Sequence, residues 1–232
     1  MIPNTPPFYQ YGGAARDPAT AVVTTVLLAI NDNKADTTTA FDDESTSNKT
    51  LTANGDVQYD TAQAPTGRPS RGLFDGTGDF ISTPDHDDWD FGTGDFTVEC
   101  MVRFNSRTGV VSLVSNYSGW SFQSRNDGDR LTFYWGDAEL SSAWTWAPSN
   151  GVWYHVAVCR SGTNLRGFVD GTQVGSTVTN STNITGALAS LNIGRLPINV
   201  QYLNGWMACV RVAKGLALYT GNFTPPSLPL SA

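Results

Sequence analysis

Charged side chains are scarce in this 232-residue chain, in which only 15% of the residues are Asp, Glu, Lys or Arg. The 14 Lys and Arg residues are scattered and the formal net charge is −7, so the chain lacks the clustered cations that bind nucleic-acid phosphates. Long runs rich in Ala, Leu, Glu and Lys are also missing, which leaves helix a minor role. We therefore expect no nucleic-acid partner and no helical fold.

Long apolar stretches are missing as well. No stretch approaches the roughly 18 apolar residues that a membrane-spanning helix needs, and residues 1–7 lack the basic and apolar regions of a secretory signal. The sequence thus predicts a protein made in the cytoplasm with no membrane partner. Its three cysteines, Cys100, Cys159 and Cys209, each lie in an apolar strand-like run. We expect them to be free, buried thiols.

Turn-forming residues are abundant, with 23 Gly and 12 Pro. Between the turns, the run 96–104 alternates so that one face holds apolar residues, namely Phe96, Val98, Cys100, Val102 and Phe104. Similar short runs recur about every ten residues, and Asp170-Gly171 is typical of a two-residue hairpin turn. The pattern predicts an all-β antiparallel sandwich in one domain.

The N-terminal residues 1–20 form a different kind of segment. They are rich in Pro and Gly and carry the aromatic residues Phe8, Tyr9 and Tyr11. Pro lacks a backbone N–H and fixes φ, so this segment suits neither a helix nor a central strand. It is either a disordered tail or an extended arm that anchors its rings on a partner. We predict the arm, followed by the sandwich over residues 21–232.

An ordered set of strings carries a resemblance to a known family. The strings are LFDG (73–76), GDFI (78–81), FGTGDFTVE (91–99), WYHVAV (153–158), VDG (169–171), LNIGR (191–195), GWM (205–207) and VRV (210–212). In this order and spacing they resemble the concanavalin A-like, laminin-G-like jelly-roll superfamily over nearly the whole chain after the arm. The closing strings GLALYT (215–220) and NFTPP (222–226) look like members common in bacteriophage structural proteins.

Two functions follow from this resemblance. The main prediction is a non-enzymatic virion structural protein, a capsid decoration protein displayed on the particle, which contacts other capsid or tail proteins. Such proteins form symmetric homo-oligomers, and a trimer suits the size of this chain. The alternative is a lectin-like, carbohydrate-binding module that recognises host surface glycans. The resemblance does not choose between capsid and tail.

Catalysis is not expected. Glycosidases with this jelly roll carry a strand with paired acids of the pattern Glu-x-Asp-x-x-Glu, and glycoside hydrolysis needs two such carboxylates across a cleft. Cys100 and Met101 follow Glu99, and Glu139 stands alone. His155 lies within a strand-like run, and the resemblance implies a buried structural histidine.

Calcium is the one cofactor that the resemblance raises. Many relatives bind it through acidic turns and an Asp pair on the last strand, but Ala208 and Cys209 occupy the corresponding places here. The candidate ligands Asp42, Asp43, Asp75 and Asp79 either gather around an ion or cap turns. We therefore predict no cofactor, with calcium as the open alternative.

Aromatic side chains are the candidates for sugar binding, because exposed rings stack on pyranose faces in related lectins. The candidates are Trp120, Trp135, Trp144 and Trp146. The stretch 144–148 resembles a loop with two rings on one side. Aromatic residues of a sandwich more often lie in the core, so both interpretations stay open.

Overall fold

The structure is a computed structural model that describes residues 25–65, 67, 71–117, 119–135, 142–186, 188–197 and 201–231. The predicted arm, with Phe8, Tyr9 and Tyr11, lies outside this range. In the described residues, the strands are β1 (Thr25–Ala29), β2 (Thr52–Asn54), β3 (Gln58–Asp60), β4 (Arg71–Asp75), β5 (Phe80–Thr83), β6 (Phe96–Ser106), β7 (Val110–Asn116), β8 (Trp120–Arg125), β9 (Arg130–Trp135), β10 (Ser142–Thr145), β11 (Trp153–Ser161), β12 (Asn164–Val169), β13 (Thr172–Thr179), β14 (Leu191–Ile193), β15 (Arg195–Leu196), β16 (Gln201–Tyr202) and β17 (Asn204–Lys214).

The strands form two large antiparallel sheets and one ribbon. The eight-stranded sheet runs β13-β12-β11-β6-β17-β4-β3, with β1 paired to β17 beyond the end of β4. The seven-stranded sheet runs β10-β9-β8-β7-β14-β5-β2, and β15 pairs with β16. A single turn of 3₁₀-helix spans Asp87–Trp89, and no helix in the described part of the chain is long and apolar enough to cross a membrane. This arrangement confirms the predicted all-β jelly-roll sandwich.

The core lies between the two sheets, and β6 shows how the sequence builds it. Phe96, Val98, Cys100, Val102 and Phe104 are all buried on its inner face, as the alternation predicts. Aromatic rings from both sheets meet there, with ring centroids 5.1 Å apart for Phe96 of β6 and Phe133 of β9. Because the inner positions alternate with outer ones, the register of β6 decides which side chains reach the second face of the sheet.

The hairpin that joins β12 and β13 turns at Asp170 and Gly171, as predicted. Both residues have positive φ values, 47° and 77°, which a tight two-residue turn requires. A Cβ atom at Gly171 would collide with the carbonyl oxygen of Phe223. The turn therefore also fixes where the end of the chain passes over the sheet.

Residues 215–231, called the C-terminal segment below, cover the outer face of the eight-stranded sheet. Leu218 and Tyr219 are buried there in an apolar cluster with Ala157, Cys159 and Phe168. Leu230 packs in a second cluster with Leu28, Ala208 and Cys209. All three cysteines are buried and free, as expected.

The register of β6 can be tested with one substitution on each face. Val102 is fully buried, whereas Arg103 is partly exposed and its guanidinium lies 4.6 Å from the ring centroid of Trp206. We expect Val102→Asp to lower the free energy of unfolding by several kcal/mol, about 3 or more, because an unpaired carboxylate would be buried. Arg103→Asp should cost about 1 kcal/mol.

Urea unfolding of both variants measures the difference. Equal losses, or a larger loss for Arg103→Asp, would contradict the register.

Candidate functional site

Three of the four tryptophans predicted to bind sugar lie in the core instead. Trp120, Trp144 and Trp146 are 0%, 2% and 8% exposed, so none offers a free ring face. The indole of Trp120 donates to the carbonyl oxygen of Trp89 at 2.8 Å, and that of Trp144 to Ser176 at 2.9 Å. The prediction that these three rings bind sugar is wrong because the rings are buried. The indole N–H groups of Trp120 and Trp144 are also already satisfied inside the sandwich.

The loop expected over residues 144–148 begins only at residue 146, because residues 144 and 145 belong to a strand. Residues 142–145 form the edge strand β10, and the Trp144 ring packs directly against Gly167 of the opposite sheet, where any Cβ would clash with it. Trp135 differs from the other three because it is only partly buried at the end of β9. A sugar contact at Trp135 stays a prediction.

An open cleft lies at one end of the sandwich, and we call it the end cleft. It has a volume of 390 Å³ and lies between the turn after β4, the turn after β6, and β16. The polar side chains that line it are those of Asp75, Thr77, Ser106, Thr108, Gln201, Tyr202 and Asn204. Hydroxyl, amide and carboxylate groups dominate this surface, and no Lys or Arg belongs to the described lining.

The ribbon of β15 and β16 holds Tyr202 at the wall of the end cleft. Arg195 and Tyr202 are paired in register, and the Arg195 guanidinium lies 4.3 Å from the ring centroid of Phe80 and 5.6 Å from that of Tyr202. The hydroxyl of Ser115 donates to the Arg195 carbonyl oxygen at 2.6 Å, which ties the ribbon to β7. The tyrosine ring is therefore held by cation–π packing on a fixed backbone.

Three carboxylates gather next to the end cleft. One oxygen from each of Asp56, Asp75 and Asp79 lies within 4.8 Å of the others. Asp79 is buried and accepts the backbone N–H groups of Asp56 at 2.8 Å and Asp75 at 3.0 Å. Burial raises the pKa of Asp79 to about 6, and the charge of Asp75 adds to this. These are the described residues that could hold a hard cation such as calcium.

The structure brings together only two of the four predicted calcium ligands. Asp75 and Asp79 are neighbours, but Asp42 pairs with Lys34, and Asp43 accepts the backbone N–H of Leu28 at 2.9 Å. The residue of β17 that lies opposite Asp75 is Asn204, rather than Ala208 or Cys209. Calcium binding therefore stays a prediction. The carboxylate that the predicted set lacked is that of Asp56, and no sequence motif marks this residue.

A buried polar network crosses the outer face of the eight-stranded sheet. Glu99 of β6 is fully buried and accepts hydrogen bonds from Arg211 Nε at 2.5 Å and from the Tyr219 hydroxyl at 2.6 Å. His155 Nε2 lies 2.7 Å from Glu99 Oε2. Burial alone would raise the pKa of Glu99, but the Arg211 charge and the hydrogen bonds lower it to about 2. His155 is thus buried, as expected, and sequence reasoning missed its acidic partner.

The solved structures show which proteins share this fold. Domain 4 of the extracellular arabinanase AbnA from Geobacillus stearothermophilus, solved with arabinotriose, is 17% identical with a TM-score of 0.59 and covers 80% of this chain and 95% of its own. The binding domain of Paraclostridial Mosquitocidal Protein 1 is 13% identical with a TM-score of 0.64, over 84% of this chain and 50% of that chain. A structure of botulinum neurotoxin type C is 17% identical with a TM-score of 0.61, over 84% of this chain and 49% of that chain.

The chain thus spans about half the length of the two toxin chains. The fold and the end cleft together define a jelly-roll sandwich with a concave polar site on its surface. Residues 75–217, more than half of the chain, match the model of the concanavalin A-like lectin/glucanases superfamily, and the chain belongs to this superfamily. No curated protein matches the chain at a significant level.

The Glu99 network predicts a specific pattern of stability. Glu99→Gln leaves the buried Arg211 guanidinium without its counter-charge and should lower the free energy of unfolding by about 3–5 kcal/mol. Because the pKa of Glu99 is depressed from 4.5 to about 2, its stabilising contribution is present above pH 4.5 and is lost as the pH falls towards 2. The difference between wild type and variant should therefore shrink over that interval.

Urea unfolding of both proteins at several pH values measures this difference. Tyr219→Phe serves as the control that keeps the ion pair, and it should cost about 2 kcal/mol. A pH-independent difference between wild type and Glu99→Gln would contradict an ionised Glu99.

Proposed function

We propose that the chain is a non-enzymatic carbohydrate-binding module and that the end cleft is its sugar site. The observation that carries this proposal is the chemistry of the cleft wall. Asp75, Thr77 and Gln201 supply donors and acceptors side by side, and sugar hydroxyls need both. Tyr202 adds a ring that is held in place and partly exposed. A rigid aromatic contact costs little conformational entropy on binding.

Gln201 adds a second argument. Its side-chain carbonyl oxygen is buried and has no hydrogen-bond partner. A buried polar atom without a partner carries an energetic cost, which a sugar hydroxyl would remove by donating to it. Asp75 is already oriented for binding, since the backbone N–H and the hydroxyl of Thr77 both donate to its carboxylate. The polar wall is thus preorganised before any ligand arrives.

The charge of the end cleft narrows the class of sugar. No described Lys or Arg lines it, and the carboxylate of Asp75 faces it beside Asp56 and Asp79. An acidic sugar would meet repulsion there, so we expect a neutral one. Two of the solved structures that share this fold belong to sugar-binding proteins. The arabinanase domain was solved in complex with arabinotriose, and botulinum neurotoxin type C interacts with two ganglioside molecules. Sugar binding on this fold therefore has precedents.

A binding role also agrees better with the end cleft than hydrolysis does. Hydrolysis needs two carboxylates that flank the bond, roughly 5–9.5 Å apart. Of the three clustered acids, only Asp75 lines the cleft, whereas both oxygens of buried Asp79 accept backbone N–H groups. Asp79 therefore serves the turn, which leaves a single lining carboxylate.

The virion role remains a prediction from the resemblance alone, as do attachment through the arm and a homotrimer. A glycan-binding module displayed on a particle would combine both predicted functions. The structural comparisons favour the sugar-binding component, because the compared proteins include binding domains and a sugar complex.

Tyr202 allows a direct test of the end cleft. A glycan array with the full chain should identify neutral glycans, and calorimetry should then give their affinity. Tyr202→Ala should weaken binding roughly tenfold or more, because the ring contact is lost. Tyr202→Phe keeps the ring and should stay within about threefold of wild type.

Tyr117→Ala is the matched control, since Tyr117 is 44% exposed and follows the opposite end of β7. It should bind like wild type. An unchanged affinity for Tyr202→Ala, or no neutral glycan bound at all, would refute the proposal.

A further inference from the structure

A second cleft lies on the outer face of the eight-stranded sheet, away from the end cleft. It has a volume of 340 Å³, opens to solvent and is bordered by β6, β11, residues 64–65 and the C-terminal segment. We call it the His155 cleft. The side chains that matter for its chemistry are Met101, Trp153, His155, Asp170, Pro226 and Leu228. Its volume falls in the range of small-molecule sites, roughly 300–1,000 Å³.

Trp153 provides a fixed ring at this cleft. Its indole N–H donates to the carbonyl oxygen of Gln63 at 2.7 Å, and the residue is paired with Arg103 in the sheet. The ring is partly exposed, in contrast to the buried tryptophans Trp120 and Trp144. A fixed and partly exposed indole beside Met101 is an apolar surface on which the C–H face of a ring compound can pack.

His155 provides a polar group that lacks a partner. It is 2% exposed, and its Nδ1 atom has no hydrogen-bond partner, although the residue lines the cleft. Glu99 is ionised and can only accept, so His155 Nε2 carries the hydrogen that points towards it. Nδ1 is the other polar atom of the ring, and a ligand hydroxyl can pair with it because a hydroxyl both donates and accepts.

The charge of the lining limits the ligand further. No Lys or Arg belongs to the described lining, and the Asp170 carboxylate lies at the rim. Anions are therefore disfavoured, and a compound without a hydroxyl or another hydrogen-bonding group leaves Nδ1 unsatisfied. A neutral ring compound with several hydroxyls can pack on Trp153, form a hydrogen bond with His155 Nδ1 and avoid repulsion by Asp170.

We infer that the His155 cleft is a second ligand site that takes one neutral sugar ring, with a ring hydroxyl hydrogen-bonded to His155 Nδ1 and the C–H face packed on Trp153. This site does not depend on the end cleft, because the two share no lining residue. Occupation of both sites would allow one chain to engage two residues of a glycan or two glycans.

The two histidines make the site observable by NMR. In the ¹⁵N-labelled 232-residue chain only His86 and His155 contribute imidazole signals, and His86→Gln assigns them. The probes are the methyl glycosides of glucose, galactose, mannose and arabinose, with sialic acid as the anionic control. We expect at least one neutral glycoside to shift the Nδ1 resonance of His155 saturably, whereas sialic acid does not.

Variants separate this site from the end cleft. Trp153→Ala should weaken the His155 response roughly tenfold, and Trp153→Phe should retain it. Tyr202→Ala should leave the His155 response unchanged. The inference is overturned if no glycoside moves His155 Nδ1, if sialic acid moves it equally, or if Trp153→Ala leaves the affinity unchanged while the variant remains folded.

Discussion

The buried ion pair between Glu99 and Arg211 is the interaction on which the outer half of the molecule depends. A carboxylate and a guanidinium removed from water are costly unless every remaining donor and acceptor is satisfied. Glu99 meets this condition through His155 and Tyr219 in addition to Arg211. Tyr219 comes from the C-terminal segment, so the segment must lie over the sheet for the charges to be stable. The apolar contacts of Leu218 and Leu230 then close a second core outside the sandwich.

This arrangement explains why the two clefts differ. The end cleft is built from turns and the β15–β16 ribbon at one end of the sandwich, and it opens to solvent there. The His155 cleft exists because the C-terminal segment crosses the sheet and leaves a gap beside β11. Binding residues on loops that a rigid scaffold positions are the usual arrangement in β-sandwiches. The second cleft departs from it, since two of its main residues, Trp153 and His155, belong to a strand.

Local patterns predicted the fold because they report on neighbours in the chain. The alternation in β6 and the turn at Asp170-Gly171 are both set within a few residues. The partners of Glu99 could not be predicted in this way, because Arg211 and Tyr219 lie 112 and 120 positions away. Trp144 was misread for the same reason, since its burial depends on Gly167 in the opposite sheet. The end cleft likewise joins three separate parts of the chain, residues 75–77, 106–111 and 201–204, and no single motif marks it.

A crystal structure of the full chain with the tightest-binding neutral glycan tests the central claim most directly. The account predicts sugar density in the end cleft, with a ring against Tyr202 and hydroxyls within hydrogen-bond distance of Asp75 and Gln201. Sugar density at other sites with none in the end cleft would contradict the assignment of the binding site.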